Sequence, residues 1–423
     1  MPTRTLFPAK RLQRGLRFSA ESRAGTLLGL QFRYFSRWKE LLLNWVEIDA
    51  AALRHNLEGF RRAVGPQVAL GAVVKSNAYG HGMLETARIA VDAGADWLCV
   101  NNVDEALELR AAGHRYEAIL VMGYVPLDRL EDVVRHGLRP VVYNLETVER
   151  LDALGSGRQT PVPLHLKIET GTHRQGILES DVPVFAERIR GARGVTLEGL
   201  STHFANIEDT TNHDYAESQI EAFDRVTEAF RAAGCPAKMR HSACSAAALL
   251  FDRTHLDLAR LGIAMYGLWP SKETRLSCVE RGKTLVDLRP ALAWKTRVAQ
   301  VKDVAEGAFV GYGCTWKSTR PSRIAVLPVG YAEGYDRGLS GVAHVLIRGR
   351  RAPVRGRICM NICLADVTDI PDVSLEDEVV LLGSQVDETV TAEQLAAWAG
   401  TIAYEIVARI HPGLPRVVVP AKA

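Results

Sequence analysis

Residues Val73 to Gly82 read VVKSNAYGHG. Two β-branched valines run into Lys75, and behind it come small, polar and turn-forming residues from Ser76 to Gly82. The pattern predicts a buried strand that ends at Lys75 and opens into a tight loop. A lysine at the end of an apolar strand is costly to keep charged and unpaired, because desolvation disfavours the ammonium and lowers its pKa. An amine so placed suits Schiff-base chemistry, and a structural ion pair is the other reading of the same spacing.

Outward from this stretch, apolar strand-like runs alternate with Ala/Leu/Arg/Glu-rich helical stretches as far as about residue 270. WVEIDAAALRHNL, from Trp45 to Leu57, reads as a short strand and the start of a helix. Strands are predicted at Ala69–Val74, Trp97–Val100, Ala118–Met122, Pro140–Tyr143, Leu164–Ile168, Thr196–Leu200, Met239–Ser242 and Leu256–Leu258, with helices such as Leu84–Ala93, Val103–Ala112 and Ser218–Ala233 between them. Eight strands separated by helices point to an α/β fold, a (β/α)8 TIM-type barrel over residues 45–285. A doubly wound open sheet is the alternative, but no Gly-rich dinucleotide fingerprint follows the first strand. After residue 285 the texture changes to short alternating strands broken by Gly and Pro, with one helical piece, TAEQLAAWAG. Residues 286–423 are therefore expected to form a mainly β domain.

Composition sets the class. The 423 residues are 47% hydrophobic and 24% charged, ordinary values for a soluble globular protein, and no apolar run reaches the ~18 residues of a membrane span. Residues 1–40 hold nine Lys or Arg against Glu21 and Glu40, so with +3 on the whole chain the remainder carries −4. A mildly acidic body argues against nucleic-acid binding, which needs a clustered basic face. The basic head resembles a transit peptide in composition and lacks the apolar core of a secretory signal; the plainer reading, a disordered extension over residues 1–40 or an early start codon, is preferred. Seven scattered cysteines, with no CxxC pair and no cluster at zinc spacing, fit reduced thiols in a cytoplasmic protein and no metal site. Cys359 and Cys363 read as members of one strand.

In such a barrel, chemistry belongs at the C-terminal ends of the strands. Lys75 ends the first, HLKIETGTHRQG puts Lys167, Glu169 and Arg174 at the fifth, and EGLSTHFAN puts His203 at the sixth. HSACSAA places Ser245 after the seventh, and ARLGIAMYGL places Arg260, Gly262 and Ile263 after the eighth. Each has a plainer reading alone: His203 as a core histidine, Arg260 as an ion-pair partner, Ser245 as a helix cap, Lys167 as a partner of Glu169. Their joint occurrence is what points to a site.

VVKSNAYGHG with RLGIAMYGL resembles the alanine racemase family over about residues 45–420. The resemblance implies a pyridoxal 5'-phosphate enzyme in which Lys75 carries the cofactor and Tyr79 binds its phosphate, helped by Ser245, Gly262, Ile263 and Tyr404. It implies that Arg260 meets the pyridine nitrogen and that His203 links Arg260 to a catalytic tyrosine. GAFVGYGCTW puts that tyrosine at Tyr312, the second base opposite Lys75; VGYAEGYDR and GRICMN put Arg357 and the substrate-side residues Tyr331 and Met360 beside it, with Arg174 from the barrel. Lys167 matches a lysine that the family can carry as a carbamate. Family members work as head-to-tail homodimers, so Tyr312, Tyr331 and Met360 would serve the partner's cofactor, and the product in a bacterium would be D-alanine for peptidoglycan. The chain departs from the family pattern at Cys244, at Glu169 within ETGTHRQG, and at Asn361 and Ile362. Those departures leave open a serine, lysine or broad-specificity racemase of the same fold. A non-catalytic cofactor carrier is the other alternative, against which the β domain with Tyr312 counts.

Overall fold

The computed structural model describes residues 42–420. The chain enters as strand β1 (Trp45–Asp49), and Asp49 then caps the helix Ala50–Val64, its carboxylate accepting from the amides of Ala51 and Ala52 at 2.9 Å. That cap occupies amides the first turn leaves without partners. Leu53, Asn56, Leu57, Phe60 and Val64 recur at helical spacing and are buried, so one stripe of the helix faces the core.

Eight parallel strands follow: β2 (Ala69–Val73), β3 (Trp97–Val100), β4 (Ala118–Val121), β5 (Arg139–Val142), β6 (Val162–Lys167), β7 (Val195–Ser201), β8 (Met239–His241) and β9 (Leu258–Leu261). Their order in the sheet is β8-β7-β6-β5-β4-β3-β2-β9. The two ends of this order meet, since the Asp257 amide donates to the Arg240 carbonyl and the Arg260 amide to that of Ala243, each at 3.1 Å. The sheet thus curls into the (β/α)8 barrel expected from the alternation. Continuous apolar runs such as AILV in β4 suit strands covered on both faces.

Most strand ends shift by a residue or two from the prediction, and two of these shifts bear on the site. The first barrel strand stops at Val73, and Lys75 opens a helical turn. The eighth begins at Leu258 rather than Leu256, so Arg260 lies within a strand and not after it. Leu256 sits in a left-handed turn with φ of 46°, which no extended strand permits.

The C-terminal strands form a second layer. Beginning with β10 (Leu292–Arg297), a sheet runs in the order Arg350–Pro353, His344–Ile347, Glu378–Gln385, β10, β1, Arg416–Val419. The opening strand β1 therefore belongs to this sheet, not to the barrel, pairing antiparallel with β10 and parallel with Arg416–Val419. A smaller sheet joins Gln300–Val304, Ser322–Leu327 and Cys363–Asp366. Cys363 is in a strand but Cys359 lies outside any strand, so the two do not share a strand face. Besides Ala392–Ala399, the helix read in TAEQLAAWAG, a second helix at Ala403–Ala408 carries Tyr404.

Candidate active site

At the C-terminal mouth of the barrel lies a cavity of about 560 Å³. Its apolar wall is made by Val73, Leu120, Met122 and Val141, from β2, β4 and β5 and the residue after β4, while β6 to β9 supply polar and charged residues. The two halves of one barrel thus serve different ends.

Lys75 and Tyr79 reach the cavity from one unusual turn. Ser76, Asn77, Ala78 and Tyr79 all have φ between 52° and 54°, a left-handed turn built from residues that pay a steric cost there. The surroundings over-determine it. The Ser76 amide donates to Glu105 Oε1 at 2.6 Å, the Met83 amide to Asn77 Oδ1 at 2.9 Å, and the buried His81 Nδ1 lies 3.1 Å from the carbonyls of Ala78 and Tyr79. Burial of the Lys75 amine, and then the charge of Arg174, push its pKa below the usual lysine range. The fraction present as a neutral nucleophile rises accordingly.

Arg260 is 7% exposed and held on its outer side. Nη1 donates to the His241 ring Nδ1 at 2.6 Å and to the His241 carbonyl at 2.9 Å; Nη2 donates to the carbonyls of Thr202 at 2.8 Å and Ser242 at 3.1 Å. Nε has no partner among the described residues, and Arg260 lines the cavity. The ring bonded to Arg260 is that of His241; no hydrogen bond joins the His203 ring to Arg260 among the described residues. His203 lines the cavity, and burial, followed by the charges of Lys167 and Arg260, drives its pKa well down, so its ring is neutral.

Ser245, Gly262, Ile263 and Tyr79 converge on one corner. The amides of Gly262 and Ala264 donate to Ser245 Oγ at 3.0 and 3.4 Å, and a Cβ on Gly262 would lie 2.9 Å from the Tyr79 hydroxyl. This is a hydroxyl-lined corner that only a residue without a side chain keeps open. Tyr404 closes the side of the cavity and donates to Glu208 Oε2 at 2.7 Å. Glu208 was not foreseen; burial pushes its carboxyl up, the Tyr404 bond opposes this, and Asp209 adds to it. No motif in the sequence marks Glu208 out.

Lys167 is 9% exposed on β6, and its amine has no partner among the described residues. Burial, then Arg260 and Arg174, drive its pKa well down. It does not pair with Glu169, whose carboxylate accepts from the amides of Gly171 at 2.5 Å and Arg174 at 3.2 Å and so shapes the loop carrying Arg174. Arg174 and Arg260, with the amines of Lys75 and Lys167, line the cavity opposite Glu208 and Asp209, a set of hydrogen-bond donors that suits an anionic occupant.

Tyr312, Tyr331 and Met360 are elsewhere. They lie on the C-terminal layer, 72%, 44% and 57% exposed, and none lines the cavity of its own chain. They share one surface. The Tyr331 amide donates to the Cys359 carbonyl at 3.1 Å and the Ala332 amide to that of Met360 at 2.9 Å, while Gly313, beside Tyr312, packs on the Arg357 guanidinium.

Fold and cavity define a barrel enzyme whose mouth sets a desolvated amine beside an anion cradle. Residues 48–270 match the family "Alanine racemase, N-terminal domain" and residues 291–418 "Alanine racemase, C-terminal domain". The chain belongs to the alanine racemase family, whose members are isomerases. It is 39% identical to the alanine racemase of Desulforamulus reducens over 89% of this chain and 98% of that one. It is 40% identical to that of Desulfosudis oleivorans over 88% and 96%. Among solved structures, the alanine racemase of Streptomyces coelicolor superposes with a TM-score of 0.83 at 34% identity, covering 90% of this chain and 99% of that one. The Bacillus anthracis alanine racemase with bound L-Ala-P gives 0.82 at 34% identity, covering 89% and 95%.

Proposed function

We propose that this protein is a pyridoxal-phosphate-dependent alanine racemase, interconverting L- and D-alanine by a two-base mechanism. The observation that carries the reading is the convergence of Lys75, Tyr79, Ser245, Gly262 and Arg260 on one cavity in a chain of this family. The residues fit the cofactor: the hydroxyls of Tyr79 and Ser245 and the backbone at Gly262 and Ile263 suit a phosphate, and the unpaired Arg260 Nε suits a ring nitrogen. Bound there, pyridoxal phosphate supplies an electron-withdrawing ring that acidifies the Cα–H of an amino acid joined to it.

The chain's own residues do the rest. The Lys75 amine, desolvated and biased toward neutrality, moves the proton on the face of the D form. Arg260 does not give up its proton, so the ring nitrogen it faces stays unprotonated and simple proton exchange at Cα is favoured over transfer of the amine. Arg174 and the backbone at Met360 hold the substrate carboxylate, with Lys167 as a carbamate orienting Arg174. The base for the L face is the partner subunit's Tyr312, since Tyr312, Tyr331 and Met360 of one chain lie exposed and away from its own cavity. A head-to-tail homodimer brings them there, and a monomer is inactive. We place the enzyme in the cytoplasm, supplying D-alanine for peptidoglycan in a bacterial host.

The test is conversion of L-alanine to D-alanine by the purified protein, with L-serine and L-lysine in parallel. Turnover of alanine well above the others is expected. A protein that holds pyridoxal phosphate yet racemises none of the three is a carrier, and the reading fails. Tyr312→Phe is expected to keep the absorbance of the bound cofactor and lose turnover, by a factor of about 10² or more; unchanged turnover removes Tyr312 from the mechanism.

A further inference from the structure

Behind Arg260 the polar half of the barrel contains a string of side chains that runs away from the cavity. His241 Nε2 lies 2.8 Å from His165 Nδ1, and His165 Nε2 lies 3.1 Å from Glu198 Oε2, which also accepts from Arg139 Nε at 3.4 Å. Both histidines are fully buried, at 0% exposure, and the string ends among the polar groups at the opposite foot of the barrel. The direction of every hydrogen is set by its first member. A guanidinium only donates, so His241 Nδ1 is the acceptor and Nε2 carries the hydrogen. His165 then accepts on Nδ1 and donates from Nε2 to a carboxylate. Burial keeps both rings neutral, and the bonds to His165 and Arg139 outweigh the burial of Glu198 and hold it ionised.

The backbone is shaped for this string. Leu164 pairs with Leu197 but His165 pairs with Gly199, so Glu198 is the extra residue of a β-bulge, a device that re-aims a side chain. Next to it, a Cβ on Gly199 would fall 2.3 Å from His165 Nδ1, the atom that accepts from His241. Bulge and glycine together bring Glu198 to one nitrogen of His165 and clear space at the other.

We propose that Glu198 is a positioning residue for the reaction: three hydrogen bonds from the cavity, it sets how strongly Arg260 donates to the ring nitrogen of the cofactor. The inference rests on the reading of the site given above. A carboxylate at the far end draws the histidine hydrogens outward and makes His241 Nδ1 a stronger acceptor, taking up part of the charge of Arg260. Its Nε–H is then a weaker donor toward the cavity. Removal of the charge leaves Arg260 uncompensated and strengthens that donation.

The experiment compares Glu198→Gln, the same shape without charge, with Glu198→Asp, which keeps it, both as the holoenzyme. Glu198→Gln is expected to shift the absorbance maximum of the bound cofactor and lower kcat about tenfold, with KM for alanine changed less than about twofold. Glu198→Asp should restore most of both. Histidine ¹⁵N spectra of the wild type should show His241 and His165 each with hydrogen on Nε2, and Glu198→Gln should displace both sets of resonances. Wild-type absorbance and kcat in Glu198→Gln, with racemisation intact, overturn the inference and leave the reading of the site standing. So does hydrogen on Nδ1 of His241 in the wild type, which needs no variant to fold. If the wild type takes up no pyridoxal phosphate, both fall, and the ¹⁵N spectra alone then report on the string.

Discussion

Gly262 is the residue on which the anion corner depends for space. A side chain there would meet the Tyr79 hydroxyl at 2.9 Å, closer than an ordinary contact and against a ring fixed between Tyr266 and Tyr404. Gly262→Ala is therefore expected to displace Tyr79 and weaken pyridoxal phosphate binding about 10- to 100-fold, the ~1–3 kcal/mol typical of overpacking. Titration of the apoprotein followed by absorbance measures it, and unaltered affinity removes Tyr79 from the phosphate site. At the same scale the departures from the family pattern find local partners. Asn361 donates to Glu333 Oε1 at 2.7 Å, and Glu333 Oε2 in turn accepts from the Gly330 amide at 2.8 Å, so the Tyr331 and Met360 loops are tied together. Cys244 lies against Glu208, and burial pushes its thiol up to about 11, so it stays neutral beside the anion corner.

Among the elements, the turn Lys75–Tyr79 is the one whose geometry was least legible. Alternation of apolar residues marks where β2 runs, but four consecutive left-handed residues of which none is glycine have no signature in composition. Asn77 is the member best suited to that conformation, and its side chain also closes the turn onto Met83. Asn77→Ala loses both. The expected cost is about 1–2 kcal/mol in urea unfolding, with weaker cofactor binding because Lys75 and Tyr79 are set by the same turn; wild-type stability and affinity would show that the neighbouring contacts suffice. The eighth barrel strand was misplaced for a related reason. In LDLARL the alternation of Leu256 and Leu258 breaks at Arg260, and only the turn at Leu256 shows that pairing starts at Leu258 and runs on through Arg260.

For the whole molecule, the division of labour between barrel and C-terminal layer makes a prediction about mixtures. Lys75 lines the cavity and Tyr312 is exposed away from it, so a working site needs each from a different chain. Lys75→Ala and Tyr312→Phe should each be inactive. When unfolded together and refolded in equal amounts, they should recover about a quarter of wild-type activity, since half the dimers are mixed and each mixed dimer holds one intact site. No recovery, with mixed dimers shown to form, would place both bases in one chain.

The sequence by itself was enough for the barrel, for a separate, mainly β C-terminal domain, and for those cavity residues that sit in a motif at a strand end, such as Lys75, Tyr79, Ser245 and Arg260. Periodicity records burial directly, and a strand end followed by polar and turn-forming residues is a local pattern. Only the tertiary structure showed that β1 joins the C-terminal sheet and that His241, not His203, bonds to Arg260. It alone revealed Glu198 joined through His165 and His241 to Arg260. These are relations between residues 19 to 76 positions apart along the chain. No local periodicity encodes them, because they arise from closure of the sheet and from one bulge that turns a side chain inward.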